Sequence, residues 1–153
     1  MNKKVNLIIG SGVLGAYLSA DLIKKKEKVI VTTRFLRKKM HNYKYLKIQK
    51  KVKFDKLDIK NKNSIQKIIS KYKPEKIFYF AGQSSLTKSL KNQKETFQSH
   101  YNGTKNFLDV LKEKNLKIKF FKANSGYIFA PNKGKIDLNC KFSSNKNPYV
   151  KAQ

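Results

Sequence analysis

The chain has no tryptophan, one cysteine, three prolines and nine acidic residues among 153. A lone cysteine, Cys140, excludes an internal disulfide and fits a reducing, cytoplasmic setting. The longest uncharged apolar stretch runs from Val5 to Ala20 and is interrupted by Gly10, Gly12 and Gly15. It falls short of the ~20 residues needed to cross a bilayer. It also runs on into Lys24, Lys25 and Lys26 without a small-residue cleavage site, which excludes a secretory signal. Arginine is scarce as well: against 36 Lys+Arg and a net charge of +27, only Arg34 and Arg37 are arginines. Proteins that read bases or grip phosphates favour the bidentate Arg fork. Lysines scattered from Lys3 to Lys151 and mixed with Asn and Ile read better as the bias of an AT-rich genome. Any nucleic-acid binding is therefore expected to be non-specific.

A hydrophobic content of 39% supports a buried core, and the length fits one domain spanning residues 1–153. Strand-length apolar runs alternate with helix-length amphipathic segments. The strands are expected at Val5–Ile9, Lys28–Thr33, Val52–Phe54, Lys76–Phe80 and Ile118–Phe121. The first two are β-branched and nearly continuous, as strands buried on both faces should be. Between them Val13, Tyr17, Leu18 and Leu22 recur at helical spacing, as do Ile65, Ile68, Ile69 and Tyr72, and then Phe97, Tyr101, Phe107, Leu108 and Leu111. The pattern predicts an α/β fold, a doubly wound parallel sheet with crossover helices of the Rossmann type.

Gly10-Ser11-Gly12-Val13-Leu14-Gly15 falls where the first strand gives way to the first helix. In that context the glycines have separate uses. Gly10 permits the tight turn, Gly12 removes a Cβ from the path of a pyrophosphate, and Gly15 lets helix and strand approach. The free N–H groups of the first helical turn face the anion. Dinucleotide binding is the resulting expectation. An NAD-selective site of this kind ends its second strand with Asp or Glu, which accepts from the ribose 2′-hydroxyl. Here the segment reads Thr32-Thr33-Arg34-Phe35-Leu36-Arg37-Lys38. A cation at Arg34 suits a 2′-phosphate, so NADP is expected over NAD.

From the glycine turn through Leu57-Asp58-Ile59, Phe80-Ala81-Gly82-Gln83-Ser84 and Asn102-Gly103-Thr104 to Ser125 and Asn147-Pro148-Tyr149, the chain resembles the extended short-chain dehydrogenase/reductases that act on nucleotide sugars. Gln83-Ser84 gives a particular likeness to the GDP-mannose 4,6-dehydratases. The resemblance implies that Gly10, Gly12, Val13, Leu14 and Gly15 cradle the cofactor. It implies further contacts at Arg34, at Asp58 and Ile59 near the adenine, and at Phe80, Ala81, Gly82 and Ser84 after the fourth strand. Ser125 would hold the sugar hydroxyl, and Tyr149, 24 residues on, would take its proton and also touch the cofactor.

Four departures from that family stand out. The Lys expected four residues after Tyr149, which would hold the nicotinamide ribose and lower the Tyr pKa, is Gln153. Lys151 lies about 200° around the helix and points elsewhere. The acid expected two positions past Ser125, needed to eliminate water across C5 and C6, is Tyr127. His100 stands where the family often has Asn or Asp, and a lone helical His is more often packed than catalytic. The chain also ends at Gln153, inside the helix of Tyr149, so it is expected to be an N-terminal fragment lacking the C-terminal substrate domain.

The function expected from the resemblance is the NADP-binding portion of a nucleotide-sugar 4,6-dehydratase, a lyase acting on GDP-mannose. The alternatives are an epimerase or 4-keto reductase of the same family, or a non-catalytic module for NADP or nucleic acid. The chain alone is expected not to turn over a nucleotide sugar. No metal and no membrane are implied, and a homo-oligomer stays open.

Overall fold

The computed structural model describes residues 4–36, 40–130, 134–137 and 139–153. Arg37 and Lys38, read above with the second strand, lie outside them. Five strands, β1 (Val5–Ile9), β2 (Lys28–Thr33), β3 (Lys53–Lys56), β4 (Lys76–Tyr79) and β5 (Lys119–Lys122), form one sheet in the order β3-β2-β1-β4-β5. Every pairing is parallel, with Leu7 opposite both Ile30 and Ile77 at the centre. β3 and β5 sit about a residue later than the apolar runs suggest, because pairing with Ile30–Thr33 and Lys76–Tyr79 sets their register.

Helix α1 (Val13–Lys24) joins β1 to β2, and the short α2 (His41–Tyr45) lies between β2 and β3. Helix α3 (Lys62–Tyr72) returns the chain across β1 to β4. It is capped by Asn61, whose side chain accepts from Ser64 N at 3.1 Å, and it ends at Lys73 with φ 44°. Between β4 and β5 come α4 (Leu86–Lys91), α5 (Gln93–Phe97), a π-helical turn (Gln98–Asn102) and α6 (Gly103–Glu113). Helix α7 (Pro148–Ala152) follows β5.

Alternate side chains of β1, β2 and β4 feed two cores. Leu7, Ile9 and Ile30 join Ile65, Ile69, Phe107 and Val110 beneath α3 and α6. Ile8, Val29 and Val31 join Ala16, Leu22 and Tyr43 beneath α1 and α2. This double coverage is why the strands read as unbroken apolar runs. Burial pushes the Tyr43 phenol up to about 12, despite a lowering contribution from Ser19.

The helices depart from simple periodicity at two places. In α1 the buried face is Gly15, Ala16, Ser19 and Leu22, while Val13 and Tyr17 are exposed. Small residues face the sheet because α1 comes so close that a Cβ on Gly15 would meet the Gly10 carbonyl oxygen. In the segment read as one long helix, Phe107 and Leu111 are buried but Tyr101 and Leu108 are exposed. The π turn shifts the face, carrying Ser99 and His100 inward. Tyr79 Oη donates to the Ser99 carbonyl at 2.6 Å, and Thr104 Oγ1 donates to that of His100 at 2.6 Å.

Candidate functional site

The chain changes direction between β1 and β4, and ligands of open parallel sheets bind beyond the strand carboxyl ends at such a point. A cleft of about 610 Å³ opens there. Gly10 and Gly12 line one wall, and Arg34 stands on the rim that follows β2. Phe80, Ala81, Gly82 and Ser84 line the β4 side, and Leu57 and Ile59 close the β3 end.

The glycine turn behaves as its spacing predicts. Gly10 has φ 112°, in a region that side chains disfavour, and a Cβ there would stand 3.0 Å from Ala81 N. Its N–H donates to Thr32 O at 3.1 Å, tying the turn to β2. Gly12 caps α1 without a side-chain bond, and a Cβ there would meet nothing within 4 Å. The space beside Gly12 is therefore open, and the first-turn amides of Val13, Leu14 and Gly15 have no helical acceptor. Open space, free donors and a helix N-terminus without an acidic first turn suit a pyrophosphate. The side chains of Val13 and Leu14 point into solvent, so only their backbone bears on the site.

Other positions carry qualifications. Asp58 is exposed and does not line the cleft; its carboxylate accepts from Lys60 N at 3.0 Å, in a turn leading to α3. Gly82 is small for a packing reason, since a Cβ would overlap the His100 ring. His100 is buried, with Nε2 2.7 Å from the Gln83 carbonyl. Burial holds its pKa below the usual value, with a smaller lowering by Lys122, although the bond to Gln83 acts the other way. Arg34 is engaged: its Nη1 lies 2.6 Å from Glu95 Oε1, and Lys60 Nζ reaches the other oxygen at 2.8 Å.

Ser125 and Tyr149 sit outside this cleft. Ser125 accepts from Tyr127 N at 3.3 Å and so caps the 3-10 turn Gly126–Ile128, on which α7 packs. Asn147-Pro148-Tyr149 is a helix start: Asn147 Oδ1 accepts from Tyr149 N at 2.8 Å, and Pro148 occupies the first turn. The Tyr149 ring meets His100 edge-on at 5.5 Å between centroids. Tyr127 is exposed. Near Gln153, Lys122 Nζ donates to the Gln153 carbonyl at 2.6 Å and lies 3.4 Å from its Oε1. Burial lowers the Lys122 pKa.

Glu95 and Lys122 escaped the sequence reading. Glu95 lies 61 residues from Arg34, and no local pattern links them. Lys122 is one lysine among many.

Comparison with known proteins places this arrangement. Residues 7–151 match the model of the family described as GDP-mannose 4,6 dehydratase. The chain belongs to that family. Among curated relatives, CDP-paratose 2-epimerase of Salmonella typhi is 32% identical over 107 residues, covering 69% of this chain and 32% of the relative. UDP-glucose 4-epimerase of Mycoplasma genitalium is 25% identical over 126 residues, covering 82% of this chain and 37% of the relative. The chain thus spans about a third of the length of these relatives. The solved UDP-glucose 4-epimerase of Bifidobacterium longum, in complex with NAD+ and UDP, superposes with a TM-score of 0.84 at 20% identity. It matches 97% of this chain and 45% of its own, a likeness of fold. The family is one of nucleotide-sugar epimerases and dehydratases, and the fold is the dinucleotide-binding one. Among the described residues no helix is long and apolar enough to cross a membrane, and no cluster of His, Cys, Asp or Glu could hold a metal.

Proposed function

We propose that this chain is the cofactor-binding portion of an enzyme that oxidises a nucleotide sugar at C4, holding a nicotinamide dinucleotide in the cleft between β1 and β4. The observation that carries this reading is the open space beside Gly12, facing unpaired first-turn amides at the sheet's switch point. The NAD bound by the Bifidobacterium longum epimerase supports a nicotinamide cofactor. The absence of an acid after β2 and the cation at Arg34 support NADP. Gly10, Gly12 and the amides of Val13, Leu14 and Gly15 would hold the pyrophosphate. Arg34 would meet the adenosine ribose, Asp58 and Ile59 the adenine, and Phe80, Ala81, Gly82 and Ser84 the middle of the cofactor.

When bound, the nicotinamide supplies hydride acceptance from the sugar. The chain's own part is proton handling and orientation. Tyr149 would take the C4 hydroxyl proton, and Ser125 would hold that oxygen. His100, packed edge-on against Tyr149, would fix the ring's direction. GDP-mannose is the proposed substrate and 4,6-dehydration the proposed outcome, on the family match and Gln83-Ser84.

Tyr127 favours a second reading. With Tyr where the eliminating acid is expected, an epimerase or 4-keto reductase needs only Ser125 and Tyr149, and the relatives named above are epimerases. The test is to titrate the chain with NAD and NADP calorimetrically, then to incubate it with cofactor and GDP-mannose, UDP-glucose or UDP-galactose. Cofactor binding without sugar turnover is expected from the chain alone. Loss of water detected by mass spectrometry would favour the dehydratase, and C4 inversion by NMR the epimerase. Failure to bind either dinucleotide would overturn the reading.

A further inference from the structure

The cleft contains one carboxylate that the glycine-turn reading does not use. Glu95, on α5 after β4, lines the same cleft as Gly10, Gly12 and Arg34. Its two oxygens are taken by cations from the other rim: Arg34 Nη1, which follows β2, at 2.6 Å, and Lys60 Nζ, in the turn between β3 and α3, at 2.8 Å. Burial alone would raise the Glu95 pKa, but hydrogen bonds from Lys60 and Arg34 outweigh it and keep the carboxylate ionised. As an exposed ion pair this bridge adds little to stability. Its position gives it another consequence.

Strand β2 ends where a dinucleotide's adenosine ribose is read, and the acid that normally accepts from a 2′-hydroxyl is missing there. A carboxylate is nevertheless delivered to that rim from 61 residues away in the chain. Arg34 has one planar fork, and Glu95 occupies part of it. A 2′-phosphate seeking that fork would have to displace the carboxylate or bear its like charge. A bare 2′-hydroxyl can donate to it. We propose that Glu95 sets the selectivity of this site between NAD and NADP, by competing with the 2′-phosphate for Arg34 and offering an acceptor to the 2′-hydroxyl. This rests on the reading of the cleft as a nicotinamide dinucleotide site.

The test is calorimetric titration of NAD and NADP, at one fixed low salt concentration, against the wild-type chain and three variants. Glu95→Gln removes the charge, keeps the shape and leaves Arg34 and Lys60 uncompensated. It should move the ratio of the two dissociation constants toward NADP by at least about tenfold. Glu95→Asp, which keeps the charge, should retain most of the wild-type ratio. Arg34→Gln should move the ratio toward NAD. A ratio unchanged in Glu95→Gln, or equal losses of both affinities in Glu95→Gln and Glu95→Asp, would overturn the proposal, the second outcome marking Glu95 as structural. If Glu95→Gln does not fold, Arg34→Gln decides, and no movement toward NAD there overturns it equally. Intact binding with an unchanged ratio refutes only the role of Glu95. No binding of either dinucleotide to the wild-type chain refutes the cofactor reading and this proposal with it.

Discussion

The two ends of the site are built differently. At the glycine turn the groups that matter are backbone atoms, held by the central strand of a two-sided sheet: Gly10 N on Thr32 O, Phe80 N on Ile9 O, and α1 drawn against Gly10. At the end that carries Ser125 and Tyr149 the groups are side chains on a three-residue turn and a five-residue helix, with β5 as the sheet's edge. Backbone groups anchored in a core keep their places regardless of side-chain freedom. Side chains on short elements depend on whatever packs beside them. The glycine turn, proposed to cradle a pyrophosphate, is thus held by the backbone, while the end proposed for proton transfer leans on neighbours such as His100 and Asn147.

The largest expected effect probes the anchored end. Gly15→Val would drive a side chain into the Gly10 carbonyl and should cost about 3 kcal/mol in urea unfolding. A change below about 1 kcal/mol would mean that α1 can move away, and that the cradle is less anchored than its packing implies. Next, Tyr79→Phe removes a buried donor from the Ser99 carbonyl and should cost about 1.5 kcal/mol by the same measurement. Gly12→Ser separates stability from binding. Serine is a good N-cap and its Cβ has room, so unfolding should shift by no more than about 0.5 kcal/mol. Dinucleotide affinity should nevertheless fall at least about tenfold, about 1.4 kcal/mol by calorimetry.

At the other end, Ser125→Ala removes only the cap of an exposed-edge turn and should change stability by about 0.5 kcal/mol or less. A loss above 2 kcal/mol would erase the contrast between the two ends. The smallest effect at neutral pH belongs to His100. Its folded pKa lies below the unfolded value of about 6.5, so between the two the unfolded chain binds the extra proton. Stability should therefore be level above about pH 6.5 and fall as pH drops below it. His100→Gln should flatten that part of the profile, as read by urea midpoints from pH 8 to 5.

Much of this was legible in residue order. The glycine turn is local: Gly10, Gly12 and Gly15 fall between a β-branched run and a helix, and the spacing alone states which must bend, which must stay open and which must pack. Ile65, Ile68, Ile69 and Tyr72 announced the buried face of α3 because that helix rests on the sheet along one stripe. The same logic misplaced Val13 and Tyr17, since close approach at Gly15 turns the small residues of α1 inward. It also missed the shift that the π turn imposes before Gly103. Asp58, given to the adenine only by resemblance, presents its carboxylate at the exposed rim, where it accepts from Lys60 N.

The sequence by itself determined the alternation of strands and helices and the chemistry of the first turn, because both depend on residues within a few positions of one another. Tertiary structure decided what Arg34 and Gln153 meet. Glu95 closes on Arg34 from α5, and Lys122 reaches Gln153 from β5. These contacts join segments separated by 61 and 31 residues: the first forms when the chain crosses from the β2 side of the sheet to the β4 side, the second when the segment after β5 folds back on that strand. Long-range polar contacts of that kind follow from the chain's path through the sheet, which no local pattern of residues encodes.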